Sequence, residues 1–155
     1  MDSVLIVAHK HIPAMSAPSI QKVRDLEAEL LKLPQGEYDT NHVLHAGMYA
    51  RTLITPPHTL ITGALIKIPT ILITQGEITA YVGDGNVRLH GYNVLPASSG
   101  RRQAVFSHDT TAYYTMIFPT AYKTVEDAEK QFTDEYNLLA SHRDEKFNYT
   151  VVTGE

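Results

Sequence analysis

From Gly47 to Phe118 the chain alternates short apolar runs with turn residues at nearly even spacing. Met48–Ile54 stops at Thr55-Pro56-Pro57, Thr59–Ala64 stops short of Pro69, and Thr70–Thr74 stops at Gln75-Gly76. Ile78–Val82 meets Gly83-Asp84-Gly85-Asn86, Val87–Leu89 meets Gly91, and Tyr92–Leu95 meets Pro96-Ala97-Ser98-Ser99-Gly100. Gln103–Ser107 and Ala112–Phe118 complete the series, bounded by Asp109-Thr110 and Pro119. Runs this short, with a turn every roughly eight to twelve residues, predict a sandwich or barrel. Gly83-Asp84-Gly85-Asn86 is a hairpin signal. Pro56-Pro57-His58-Thr59 ends one strand and starts the next, because proline fixes φ and removes a donor. Gly63 and Gly76 fall where a strand must bend or a hairpin must close.

On either side of this body the period changes from strand to helix. Ile20, Val23, Leu26 and Leu30 recur at helical spacing after Pro18-Ser19, and Pro34-Gln35-Gly36 is the stop. Lys22, Arg24, Asp25, Glu27 and Glu29 make the wet face. Thr124-Val125-Glu126-Asp127 has the capping-box pattern, and Val125, Ala128, Phe132, Tyr136 and Leu139 then fall on one face. Phe147, Tyr149 and Val151 alternate with Asn148, Thr150 and Val152, which predicts a terminal strand or arm. The reading is one domain in three segments: an arm and helix over 1–46, a strand-rich body over 47–119, and a helix and arm over 120–155. Apolar arms on a body that already closes predict association through Ile20, Val23, Leu26, Phe147, Tyr149 and Val151. The tail edge can extend a neighbour's sheet. Packing of both arms within the same chain fits the pattern equally well.

Composition narrows the function classes. A chain of 155 residues supports one core, and 43% hydrophobic with 19% charged residues suits a soluble globular protein. The net charge of -4 gives no electrostatic reason to expect nucleic acid as a partner. No cysteine is present, so there is no disulfide framework, thiolate zinc site or cysteine nucleophile. No apolar run has the length of a membrane span, and no membrane partner is expected. The opening Met1–Ala8 is apolar but short and lacks a basic leader, so it is not read as a signal peptide.

The run His45-Ala46-Gly47-Met48-Tyr49-Ala50-Arg51 is followed by Pro56-Pro57-His58-Thr59-Leu60-Ile61-Thr62-Gly63 and Gln75-Gly76-Glu77-Ile78. Later comes Gly100-Arg101-Arg102-Gln103-Ala104-Val105-Phe106-Ser107-His108-Asp109-Thr110-Thr111. Together with a helix ending Leu33-Pro34-Gln35, these runs resemble cupin-like jelly-roll proteins encoded by tailed bacteriophages, over roughly residues 20–140. The resemblance implies a mainly β fold: a single cupin-like double-stranded β-helix with flanking amino- and carboxy-terminal helices. It also implies a phage setting, on the virion or in the host cytoplasm. The expected partners are further copies of the chain and other phage structural proteins.

Cupins that do chemistry offer two or three histidines and a carboxylate from inward strand positions, a donor set for iron, manganese, nickel or zinc. In the related phage proteins the stretch between the counterparts of Gly63 and Gly76 looks like a histidine-bearing strand pair. Here residues 64–75 contain no histidine and no acid. The expectation is no metal and no cofactor. A recruited set of His58, His90 and His108 is weaker than their reading as turn and surface residues. His42 with His45, and His9 with His11, are pairs that lack the ligand count. Ser107-His108-Asp109 holds the residue types of a triad, but consecutive strand residues point to opposite faces. No glycine-rich loop links a strand to a helix as nucleotide binding requires.

Tyr49, Arg51, Arg102 and Tyr114, with His58 and His108, are the candidate ligand-binding residues, suited to a small anion or sugar. Against that, Arg51 and Arg102 can pair with acids on the barrel surface. The leading expectation is a non-enzymatic phage structural or interaction protein that assembles as a homo-oligomer. The alternative is a metal-dependent or small-molecule- or sugar-binding cupin enzyme that uses the barrel mouth.

Overall fold

Ser16 starts the first helix by accepting from the Ser19 amide at 3.2 Å, with Pro18 in the first turn, where no amide donor is needed. This computed structural model describes residues 11–155; Met1–Ala8 and His9 lie outside the described residues. Helix α1 (Ala17–Leu30) stops ahead of Pro34. It buries Val23 and half-buries Ile20 and Leu26 against its own barrel.

All eight predicted runs form strands: β2 (Met48–Thr55), β3 (Leu60–Thr62), β4 (Thr70–Gln75), β5 (Ile78–Tyr81), β6 (Asn86–Leu89), β7 (Tyr92–Ala97), β8 (Ala104–Ser107) and β9 (Ala112–Pro119). They are preceded by β1 (Asp39–His45), which no apolar alternation announces. Its buried positions include Thr40 and His42, so its inner face reads as polar. Gly76 closes the β4–β5 turn at φ +120, where a Cβ would stand 2.8 Å from the Thr111 carbonyl oxygen.

After β9 the chain forms α2 (Val125–Phe132), capped by Thr124, whose hydroxyl accepts from the Asp127 amide at 3.2 Å. The helix ends sooner than its apolar spacing suggests, because the backbone extends at Thr133. Tyr136 and Leu139 still pack on the same cluster as Phe132, from a run of short 3-10 turns. The chain ends in β10 (Asn148–Val152).

The strands form two sheets, ordered β10-β1-β2-β9-β4-β7 and β3-β8-β5-β6. Every ladder is antiparallel except β1–β10, which is parallel from Thr40 opposite Asn148 to Leu44 opposite Val152. The result is a mainly β, two-sheeted jelly roll flanked by a helix on each side. The six-stranded sheet draws β1 and β10 from the two terminal segments. The tail that the sequence leaves open is therefore paired within its own chain. Phe147 is half-buried there, while Tyr149 and Val151 face solvent. The core forms two apolar clusters, one around Tyr49, Met116, Phe118 and Phe132 and one around Ile12, Ile78, Leu89 and Leu95.

Buried charge pins both terminal segments to the barrel. Arg102 meets Glu27 of α1 at 2.9 Å and Glu135 at 3.4 Å; Arg24 reaches the same Glu135 at 2.6 Å. At the other end, Arg51 of β2 donates to Glu129 of α2 at 2.7 Å and to the Ser141 hydroxyl at 3.1 Å. Ser141 and His142 also reach the Glu129 carboxylate, both at 2.8 Å. A chain of bonds closes this group into a ring. Asn148 of β10 donates to the Ser141 carbonyl at 2.8 Å, so its Oδ1 is left to accept from His42 Nε2 at 2.7 Å. With its proton on Nε2, neutral His42 accepts on Nδ1 from the Tyr49 hydroxyl at 2.7 Å, and Tyr49 accepts from Arg51 at 3.4 Å.

Burial by itself works to raise the Glu129 carboxyl, but Arg51, Ser141 and His142 outweigh it and hold the group below the ordinary value. Burial lowers the His42 ring from its ordinary 6.5; Arg51 and His142 act in the same direction, against Asn148 and Glu129. Tyr49 is pushed up to about 12, chiefly by burial.

Two predictions follow from this ring. Glu129→Gln leaves the Arg51 charge buried without its partner and is expected to destabilise the fold by about 3 kcal/mol, read from urea unfolding. The second concerns pH. The unfolded chain protonates His42 near its ordinary 6.5, and the folded chain does so only at lower pH. This contribution to stability is complete above pH 6.5 and is lost as pH falls through the lower folded value. The urea midpoint should therefore drop on acidification from neutrality. His42→Gln should remove most of that slope; a slope unchanged in the variant would put the responsible proton elsewhere.

Candidate functional site

Between the two apolar clusters the barrel holds a cavity of about 510 Å³. Strand alternation selects its walls. Arg51 and Leu53 of β2, Leu72 and Thr74 of β4, Ile78 and Ala80 of β5, and Tyr114 and Met116 of β9 face it. Leu89 and Val105 close the far side. The mouth lies between β3, the segment 30–38 after α1, and the turns at 138–143. Leu31, Leu33, Leu60 and Leu138 are exposed around it. An apolar rim on an apolar chamber suits a ligand with a hydrocarbon body.

The polar groups of the walls are few and underused. Thr74 and Tyr114 are direct neighbours across the β4–β9 ladder. Among the described residues both buried hydroxyls lack a hydrogen-bond partner, and so do Arg102 NH1 and Gln103 Nε2. Burial pushes the Tyr114 hydroxyl up to about 12; Thr55 lies close enough to temper the rise, but the pair misses hydrogen-bond geometry.

Arg101 is the least expected member. It is 2% exposed and lines the cavity. It donates to the Ser98 carbonyl and the Thr70 hydroxyl, each at 2.7 Å, and to the Met116 sulfur at 3.8 Å. Among the described residues no carboxylate pairs with it. Burial lowers the guanidinium to about 10, which leaves it charged at neutral pH.

Of the six candidate ligand residues, the fold brings Arg51, His58, Arg102 and Tyr114 to the cavity. His58 stands at the rim, exposed, 3.4 Å from Asp109. Tyr49 sits behind Arg51 in the buried ring and does not line the cavity. His108 bonds Thr79 at 2.8 Å. Thr79 alternates with the inward Ile78 and Ala80, so His108 lies on the outer side of the sheet. His90 bonds Glu77 at 2.6 Å on the surface. His58, His90 and His108 therefore do not converge. The Ser107 hydroxyl donates to the Pro56 carbonyl, away from His108. Arg51 and Arg102 do pair with acids, but inside the protein rather than on the barrel surface.

The wall also tests whether the interior could hold a metal of the kind that the sequence resemblance raises. The inward residues of β2, β4, β5 and β9 include no histidine and no carboxylate. Among the described residues no group of three or more metal-ligating side chains is placed to hold an ion. The donor set present does not fit a transition metal. Sequence reading missed Arg101, Thr74 and Gln103. The adjacent pair Arg101-Arg102 was visible, but strict alternation turns one of two neighbours outward. Here both turn inward, because Arg101 makes only an isolated bridge to Ile66 ahead of β8.

No family model matches the chain, and no curated protein matches it. Solved structures similar to it include a cupin superfamily protein from Desulfitobacterium hafniense, at 14% identity and TM-score 0.44, over 60% of this chain and 86% of that one. A cupin-2 domain protein from Shewanella frigidimarina is similar at 10% identity and TM-score 0.42, over 64% of this chain and 98% of that one. A DMSP lyase from Ruegeria pomeroyi is similar at 13% identity and TM-score 0.41, over 73% of this chain and 70% of that one.

Proposed function

We propose that the chain is a small-molecule-binding jelly roll whose ligand occupies the barrel cavity. One observation carries this reading: a chamber of about 510 Å³ in the barrel, lined by aliphatic side chains and by Thr74, Arg102, Gln103 and Tyr114, each of which holds a buried polar atom without a partner among the described residues. Buried polar groups are normally satisfied, and each exception calls for a reason. A chamber of a few hundred Å³ with a handful of convergent donors is the usual form of a ligand site. The walls offer donors and apolar area but no nucleophile paired with a base, so the reading is binding rather than turnover.

A neutral probe tests it. N-phenyl-1-naphthylamine should bind saturably, one equivalent per chain, with rising fluorescence. Ala80→Leu narrows the chamber and should weaken binding while the circular dichroism of the fold is kept. Binding unaffected by both Ala80→Leu and the bulkier Ala80→Trp would put the probe outside the barrel and sink the reading. Tyr114→Phe removes a buried, unpaired hydroxyl. It is expected to leave stability unchanged or raise it by about 1 kcal/mol. A clear loss of stability in urea would show that the hydroxyl has a partner after all.

A second reading, association of copies, has its own observation. On the outer face of the six-stranded sheet, Val151, Val43, Ala50, Ile117, Ile71 and Pro96 stand in one register row across all six strands. Tyr92, Val94 and Tyr149 extend the exposed apolar area beside it. An apolar row of this length on a solvent face supports a homo-oligomer in which a second copy covers it. The resemblance to phage-encoded proteins would give that assembly a structural role on a virion or on another phage protein. Light scattering should then report a multimer that Ile71→Lys reduces to a monomer. A wild-type monomer at high concentration would remove this reading.

A further inference from the structure

The three buried arginines of the cavity differ in what balances them. Arg51 has Glu129, and Arg102 has Glu27 and Glu135. Among the described residues Arg101 has neutral acceptors only. Among the lining residues there are four guanidiniums, of Arg51, Arg101, Arg102 and Arg143, against the single carboxylate of Glu27. Glu129 and Glu135, just behind the wall, add two more acids, and Glu135 is shared with Arg24, so among the described residues the chamber keeps a net positive charge. A guanidinium has five N–H donors; the Ser98 carbonyl, Thr70 hydroxyl and Met116 sulfur take three of Arg101's, which leaves two.

A lone charge in an apolar chamber is costly unless a counter-charge reaches it. The spare donors, the Nε–H and one Nη1–H, lie on different edges of the guanidinium, so a carboxylate oxygen can accept from either, and such a charge-assisted bond is about twice as strong as a neutral one. The remainder of the chamber presents Leu72, Ile78, Leu89 and Val105, which can only cover hydrocarbon.

We infer that the ligand of this cavity is an amphipathic monocarboxylate, its acid group on Arg101 and its apolar body in the chamber toward the leucine-rimmed mouth. The inference rests on the reading of the cavity as a ligand site and adds the charge and polarity of the ligand. Arg101 is the residue that selects the acid from its neutral counterpart. Arg143 is the other guanidinium of the lining without an acid. It rests on the Tyr38 ring at the rim and bonds its hydroxyl at 2.8 Å, so its free donors are shared with water.

The experiment compares decanoate with decanol by calorimetry on the full chain, since the pair differs only in the head group. Decanoate should bind at least about tenfold more tightly, the least expected of a buried charge-assisted bond. Arg101→Met should bring decanoate down to the level of decanol, and Arg143→Gln should leave the preference intact. In the unsubstituted protein, the Arg101 Nε–H resonance should move with decanoate and stay in place with decanol, a readout that does not depend on how well a variant folds. Equal binding of the two compounds would overturn the inference while leaving the cavity reading in place. Loss of the preference in Arg143→Gln would overturn it by moving the acid to the rim. If neither compound binds, and the neutral naphthylamine does not bind either, both readings fall together.

Discussion

The Arg51–Glu129 pair is the contact on which the rest of this molecule turns. A strand of the barrel contributes the cation, and a helix outside it contributes the anion. Neither can be left alone in the interior, so the barrel and the carboxy-terminal segment are obliged to meet. The carboxylate then gathers Ser141 and His142, and Ser141 in turn holds Asn148. That last bond aligns the final strand beside Asp39–His45. The backbone ladder of β10 thus begins where a chain of side-chain bonds ends. The same turns, from Leu138 to Arg143, make one wall of the cavity mouth. The opening of the chamber is therefore a by-product of how a buried charge is neutralised.

The amino-terminal side uses the same device with a different residue. Arg102 draws Glu27 of α1 and Glu135 to one point, and this places the segment after α1 over the barrel mouth. Burial pushes the Glu135 carboxyl upward, but the Leu65 amide, Arg24 and Arg102 together hold it below its ordinary value. Two of the three interior arginines thus serve the architecture, and their acids come from the segments they anchor. Among the described residues Arg101 anchors nothing charged. That difference, rather than the presence of arginine, is what distinguishes a ligand group from a structural one here.

Much of the fold is legible in the sequence, because the strands between Gly47 and Pro119 alternate cleanly and end at glycine and proline. β1 is not legible. Its inward residues include Thr40 and His42, which are tolerated only because Tyr49 and Asn148 satisfy the histidine from both sides. The tail is legible as a strand but not as a partner of β1, since a parallel pairing across more than 100 residues leaves no local trace. The site is legible in part. Arg51, Arg102 and Tyr114 are found from residue type, yet what each does depends on whether an acid reaches it. Glu129 and Glu135 lie in a helix and a turn whose wet and dry faces the sequence does not separate. The aliphatic stretch between Gly63 and Gly76 is the clearest sequence signal for the interior. It turns the wall of a possible metal chamber into the wall of an apolar one.

The six-stranded sheet carries both functional readings, one on each face. Along β4 the alternation places Thr70, Leu72 and Thr74 inward, toward Arg101 and Tyr114, and leaves Ile71 on the solvent side. Along β1 and β2 it places His42 and Arg51 inward, in register, and leaves Val43 and Ala50 outside, again in register. A shift of one residue in any of these ladders would exchange the two sets, and the polar groups of the interior forbid it. The cavity mouth is built from β3, the segment after α1 and the turns before β10, none of which belongs to the outer row. A second copy seated on that row would cover the sheet and leave the mouth open. The binding and assembly readings therefore do not compete for the same surface, and a ligand could reach Arg101 in the assembled protein as well as in the single chain.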